Sequence, residues 1–219
     1  MSANNEKCNI YLITPPNFEL DNFTKELKII LSLKIVKVLQ LRIKNLDDTN
    51  LKKYIKEIMP ICKDNGVCCI LNDRPDIASE MYLDGVHIGI NDMSLLETKK
   101  IVGRDMIIGV SCYNSIHQAM IAGENGADYV AFGSFFNSLT KPEALKADVN
   151  ILKKWTKITE IPVVAIGGIN TVNCKKLVEY GADFIAISSS VWSSKNNATK
   201  IIKKFNSVIK GTILQNNNI

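Results

Sequence analysis

Short runs of β-forming residues recur along the chain, and stretches with helical periodicity separate them. Eight runs can be read: Asn9–Ile13, Val36–Leu41, Val67–Leu71, Gly85–Ile88, Met106–Val110, Tyr129–Phe132, Val163–Ile166 and Phe184–Ile187. Between them apolar residues fall at helical spacing, such as Leu27, Ile30 and Leu31 in the first interval and Leu51, Tyr54, Ile55 and Ile58 in the second. A β-α alternation repeated eight times calls for a parallel sheet, because parallel neighbours need a crossover between them. Eight units within 219 residues favour closure, since a barrel has no unpaired sheet edge. The expected fold class is therefore α/β, a single-domain (β/α)8 TIM barrel over residues 1–212. A polar tail, 213–219, is expected to fray.

The punctuation fits this reading. Asp21 and Asp47 or Asp48 can accept from the unpaired N–H groups of the first two helices, and Asn170 or Thr171 can do so for the seventh. Gly66, Gly103, Gly126 and Gly181 each fall shortly before a strand, where a left-handed residue commonly closes a helix. The pattern Gly-Ala-Asp recurs at Gly126-Ala127-Asp128 and Gly181-Ala182-Asp183.

Composition narrows the function classes. The net charge of +5 is spread over helices that also carry acidic residues, with no basic stripe interleaved with aromatics, so no nucleic-acid partner is expected. The longest apolar run, Ile161 to Ile169, is far short of the roughly 20 residues of a membrane span. Met1 to Lys7 lacks the pattern of a secretory leader, so a cytoplasmic protein is expected. The six cysteines contain no C-x-x-C pair and read as buried, reduced thiols; Cys112, just after a strand, is the best placed for any reactive role.

Polar clusters gather where the apolar runs end, and in a parallel barrel those ends share one mouth. Gln40-Leu41-Arg42-Ile43-Lys44 closes the second run. Strand alternation would put Gln40, Arg42 and Lys44 on one face and Leu41 and Ile43 on the other, giving two cations and an amide suited to a polyanion such as a diphosphate. Asn72 and Asp73 end the third run and Asp92 follows the fourth. One or two carboxylates with phosphate oxygens and water is how Mg²⁺ is usually held. Helix capping is the alternative for both, Asp73 at Pro75 and Asp92 near Ser94. Gly167-Gly168 with Asn170, and Ser188-Ser189-Ser190, sit where such barrels commonly bind phosphate. The long segment Gly133 to Pro142 reads as a lid containing Thr140 and Lys141. Ser111 ends the fifth run facing the mouth. His87 and His117 show no triad pattern and are assigned to core or surface.

Taken in order, these elements resemble the thiamine phosphate synthase family: Gln40-Leu41-Arg42-x-Lys44, Leu71-Asn72-Asp73-Arg74, Asp84-Gly85-Val86-His87-Ile88-Gly89 with Asp92, Gly109-Val110-Ser111, Thr140-Lys141 and Val164-Ala165-Ile166-Gly167-Gly168-Ile169. The resemblance implies condensation of 4-amino-5-hydroxymethyl-2-methylpyrimidine diphosphate with a thiazole phosphate, releasing pyrophosphate. It implies Mg²⁺ as cofactor, held by Asp73 and Asp92, and a homodimer. Arg42, Lys44 and Lys141 would act on the leaving group. The pyrimidine diphosphate would lie along the run from Gln40 through Leu41 and Ile43 to Lys44, with Asn72, Ser111 and Lys141. Ser138, Leu139 and Thr140 would line the thiazole site, and Gly168, Ser188 and Ser189 would take its phosphate. The chain departs from the family pattern at Ile90, where Gln is common, at Ser138, where Thr is, and at Tyr113, where His is. The related thiazole tautomerases use a histidine after the sixth strand; here Ser134 and Phe135 stand there. A catalytically silent phosphate sensor is the non-enzymatic alternative.

Overall fold

The computed structural model describes residues 8–89, 92–137, 146–193 and 197–216. Its strands are β1 (Asn9–Ile13), β2 (Val36–Leu41), β3 (Cys68–Asn72), β4 (Gly85–Ile88), β5 (Ile107–Tyr113), β6 (Tyr129–Phe132), β7 (Val163–Ile166) and β8 (Phe184–Ile187). All pair in parallel with their sequence neighbours, and β1 pairs with β8, closing the barrel. Helices follow the strands in turn: α1 (Leu20–Ser32), α2 (Asp48–Asn65), α3 (Pro75–Glu80), α4 (Leu95–Val102), α5 (Ile116–Glu124), α6 (Asn150–Ile158) and α7 (Cys174–Glu179). A short α8 (Ser189–Trp192) precedes the long α9 (Ala198–Asn216).

Alternation along the strands divides the apolar residues into two layers. Tyr11, Ile13, Val38, Ile70, Tyr129, Ala131, Val164 and Ala186 fill the barrel interior. Leu12, Leu39, Leu41, Cys69 and Leu71 face outward onto the helices, where they meet Leu27, Ile30 and Leu31 of α1 and Ile55 and Ile58 of α2. Each fully buried aliphatic side chain of this kind contributes roughly 1.5–3 kcal/mol. Adjacent Cys68 and Cys69 fall on opposite sides of the wall, as strand geometry requires.

The repeated aspartate before a strand has a structural reason. Asp84, Asp128 and Asp183 each precede a strand, and each carboxylate accepts an N–H from the strand before it: Cys69 at 2.7 Å, Ile108 at 2.8 Å and Val163 at 2.8 Å. These bonds satisfy backbone donors at the end of the barrel away from the mouth.

Three local expectations differ. Asp47 caps α2 by accepting from the Asn50 N–H at 2.8 Å, but α1 starts from Glu19 with no side-chain cap, leaving Asp21 in the first turn. Asn170 accepts from the N–H groups of Val172 and Asn173, closing a turn ahead of α7 rather than capping it. Beyond residue 212, α9 continues to Asn216: the buried Thr212 hydroxyl donates to the Val208 carbonyl at 2.7 Å, and Ile213 packs against the core.

Candidate active site

The strand ends open into a cavity of about 380 Å³. Gln40 and Arg42 enter it from the end of β2, Asn72 and Asp73 from β3, Ser111 and Tyr113 from β5, and Gly167, Gly168, Ser188 and Ser189 from beyond β7 and β8. Asp92 also lines it, so Arg42, Asp73 and Asp92 converge on one mouth.

Other members of the expected set lie elsewhere. The strand ends at Leu41, so alternation stops there; Lys44 is exposed, and its N–H donates to the Pro16 carbonyl at 2.9 Å. Leu41 and Ile43 belong to the outer layer against the helices. Arg74 is turned to Asp48 and Asp76 instead of the cavity. Ser138, Leu139, Thr140 and Lys141, with Ile90, lie outside the described residues.

Capping does not account for Asp92. Helix α4 has its own capping box, in which Ser94 accepts from the Glu97 N–H and Glu97 reaches back to the Ser94 N–H. The Asp92 carboxylate instead accepts from the Gly89 N–H at 2.7 Å, and a Cβ on Gly89 would lie 2.6 Å from that same oxygen. Helix α3 likewise has no side-chain cap; Arg74 occupies its N-cap, with Pro75 next. Asp73 itself sits at φ 62°, a left-handed conformation that aspartate tolerates better than most residues.

The glycines after β7 serve a close approach as well as a turn. Gly167 and Gly168 have φ of 102° and 64°, and a Cβ on either would overlap the segment 134–137. The two loops are joined by the Phe135 N–H to the Ile166 carbonyl at 3.2 Å and the Phe136 N–H to the Gly167 carbonyl at 3.0 Å.

Two polar groups escaped the sequence reading. Thr14, buried just beyond β1, accepts from the Arg42 N–H at 3.0 Å, and its carbonyl accepts from the Ser188 hydroxyl at 3.3 Å, linking the cationic side of the mouth to the serine side. The polar residue directly after the apolar run Asn9–Ile13 was the available signal. His87 has a serine partner after all: its Nε2 lies 2.8 Å from the Ser111 hydroxyl, while Nδ1 lies 2.9 Å from the Tyr129 hydroxyl. Burial, aided by Arg42 and opposed by Asp92, pulls the imidazole down to about 4, so it is neutral at pH 7. Cys112 is fully buried against the helices, and burial pushes its thiol up to about 12, which removes it from reactive chemistry.

The family model for thiamine monophosphate synthase matches residues 10–191. A thiamine-phosphate synthase of Rhodospirillum centenum is 42% identical over 204 residues, covering 93% of this chain and 99% of the relative. The corresponding protein of Pelagibacter ubique is 43% identical, covering 85% and 89%. Among solved structures, thiamine phosphate pyrophosphorylase from Pyrococcus furiosus matches with a TM-score of 0.79 at 28% identity, over 95% of this chain and 98% of that one. With eight parallel strands closed into a barrel and a charged cavity at their ends, the chain belongs to the thiamine monophosphate synthase family.

Proposed function

We infer that this chain is a thiamine phosphate synthase, a transferase joining 4-amino-5-hydroxymethyl-2-methylpyrimidine diphosphate to a thiazole phosphate with release of pyrophosphate. The bond between the pyrimidine methylene carbon and the diphosphate oxygen breaks, and its electron pair leaves with pyrophosphate. The thiazole nitrogen lone pair then forms the new C–N bond to the pyrimidinylmethyl cation. No proton needs to move in either step, which suits a cavity whose histidine is neutral and already engaged at both nitrogens.

The observation that carries this reading is the sharing of one cavity by Arg42, Asp73 and Asp92 on one side and Gly168, Ser188 and Ser189 on the other. Ionisation leaves negative charge on the diphosphate, and a fixed cation beside it stabilises that charge where it develops. Arg42 supplies that contact, while Gln40, Asn72 and Ser111 orient the pyrimidine diphosphate. Gly168, Ser188 and Ser189 receive the thiazole phosphate, with Ser138, Leu139, Thr140 and Lys141 completing the site. Lys44, exposed beyond the strand end, contributes only as a cation near the rim.

Asp73 and Asp92 are hard oxygen donors at the same mouth, and no group of three or more acidic, His or Cys side chains arranged to hold a metal ion forms among the described residues. Such a pair fits Mg²⁺ completed by phosphate oxygens and water. When bound, the ion would offset charge on the departing diphosphate.

No helix among the described residues is long and apolar enough to cross a membrane. A cytoplasmic homodimer is part of the same reading, with the barrel as its catalytic unit. Purified protein mixed with both substrates and Mg²⁺ should release one pyrophosphate per thiamine phosphate formed; absence of release rejects the synthase.

A further inference from the structure

A line of hydrogen bonds crosses the barrel interior beneath the cavity. The Tyr11 and Tyr129 hydroxyls are 2.8 Å apart, Tyr129 reaches His87 Nδ1 at 2.9 Å, and His87 Nε2 reaches the Ser111 hydroxyl at 2.8 Å. The first three residues are buried, and only Ser111 opens substantially to the cavity. Space has been made for the line. Gly109, whose neighbours across the wall are His87 and Tyr129, could not carry a Cβ without overlapping the Tyr129 ring. Ala131 and Ala186 keep the adjoining interior positions small, so the cavity reaches down to the His87–Ser111 end of the line.

Counting protons gives the line a direction. A neutral imidazole donates through one nitrogen and accepts through the other. If Ser111 donated to Nε2, then Nδ1–H would donate to Tyr129. Either the Tyr129 or the Tyr11 proton would then be left without an acceptor, because both tyrosines are buried away from the cavity lining and neither hydroxyl has a further hydrogen-bond partner among the described residues. A buried donor left unmatched is costly, and native interiors rarely keep one. The opposite order matches every proton: Tyr11 donates to Tyr129, Tyr129 to Nδ1, and Nε2–H to the Ser111 oxygen. The single remaining proton, on Ser111, then faces the cavity.

The geometry points to His87 as a positioning residue, held by Tyr11 and Tyr129 as the Nε2–H tautomer so that Ser111 is an obligate hydrogen-bond donor to an acceptor atom of the bound pyrimidine substrate. His87 acts through Ser111 and does not touch the substrate. The substrate contact rests on the synthase reading, whereas the tautomer does not. A ring nitrogen and a phosphoryl oxygen share the required chemistry. A ligand presenting an N–H or O–H to Ser111 would meet a hydroxyl whose oxygen is already taken by Nε2–H.

Nitrogen NMR of the ¹⁵N-labelled protein at neutral pH reads the tautomer directly, and exposed His117 supplies the second imidazole signal. The expected result is a proton on Nε2 of His87; a proton on Nδ1 overturns the assignment, whether or not the protein makes thiamine phosphate. Binding is then measured by calorimetry with two probes, the pyrimidine alcohol without its diphosphate and inorganic pyrophosphate with Mg²⁺. Loss of one hydrogen bond in Ser111→Ala should weaken one probe by about tenfold. Weakening of the alcohol puts the acceptor on the ring, and weakening of pyrophosphate puts it on the diphosphate. Either supports the donor role, and no change in either overturns it. His87→Phe should reproduce most of the loss, yet add less than about twofold in the Ser111→Ala background, since coupled residues are not additive. Additive losses would mean that His87 acts independently of Ser111 and would also overturn the proposal. If His87→Phe does not fold, the tautomer and the Ser111→Ala measurements still decide it.

Discussion

Arg74 grips Asp48 with a two-pronged contact, Nη1 and Nη2 donating to the two carboxylate oxygens at 2.6 and 2.9 Å. The same guanidinium donates to Asp76 at 3.0 and 2.7 Å, so the residue after Asp73 is tied both to the start of α2 and to the first turn of α3. Arg74 thereby works from behind the site, holding the chain that presents Asp73 in its left-handed conformation. Arg74→Ala should raise the Mg²⁺ concentration needed for half-maximal pyrophosphate release by about tenfold, the usual scale for a residue supporting a metal ligand. Arg74→Lys should restore only part of it, because an ammonium lacks the planar fork.

That clamp also sets a pH dependence. Hydrogen bonding from Arg74 holds both Asp48 and Asp76 below the ordinary carboxylate range. Carboxylates depressed in the folded state stabilise it above their unfolded pKa and lose that contribution as pH falls through the folded value. Denaturant unfolding should therefore show Arg74→Ala as less stable than the parent at pH 7. The gap should narrow below about pH 4 and shrink with added salt, since the partners are exposed.

Asp92 has a backbone task and a charge task, and one substitution separates them. Asp92→Asn keeps an oxygen for the Gly89 N–H but removes the negative charge facing the cavity. The melting temperature should stay within a few degrees of the parent while Mg²⁺-dependent turnover falls by about tenfold or more. A large fall in the melting temperature of Asp92→Asn, with Mg²⁺-dependent turnover intact, would reassign the residue to loop structure. Arg42→Ala tests the leaving-group contact in the same assay and should lower turnover by about 10²–10³-fold.

Gly109→Ala forces a methyl into the Tyr129 ring. Both lie in the packed barrel wall, so the ring or the strand must shift, at a cost of about 1–3 kcal/mol. The urea midpoint should fall with an unchanged slope.

The thiols should be silent in the native protein. Burial pushes Cys8, Cys68, Cys112 and Cys174 up, and a hydrogen bond with Cys62 together with burial does the same for Cys69. A thiol reagent at pH 8 should label the folded chain slowly and all six cysteines after unfolding.

Strand positions were legible because burial on both faces demands continuous apolar runs, which is how β6, β7 and β8 announce their limits. The charged mouth was legible because Arg42 and Asp73 come within two residues of the last apolar side chain of a strand. Lys44 was misplaced because the period of two was carried past Leu41, where the strand ends. Asp92 remained open between two roles, since only in the folded chain do Ser94 and Glu97 cap α4 without it. The His87–Ser111 pair could not be found by local pattern, because it spans neighbouring strands 24 residues apart. Its one advance sign was that both residues occupy inward positions on adjacent runs.

Closure of the wall between β1 and β8 carries a consequence for biogenesis. Asn9 donates to the Asp183 carbonyl at 2.9 Å, and Ile10 aligns with Ile185, so the earliest strand is completed only by the last. Until β8 has formed, β1 keeps one edge of unpaired backbone donors and acceptors, and through that interval the edge is open to pairing with other chains.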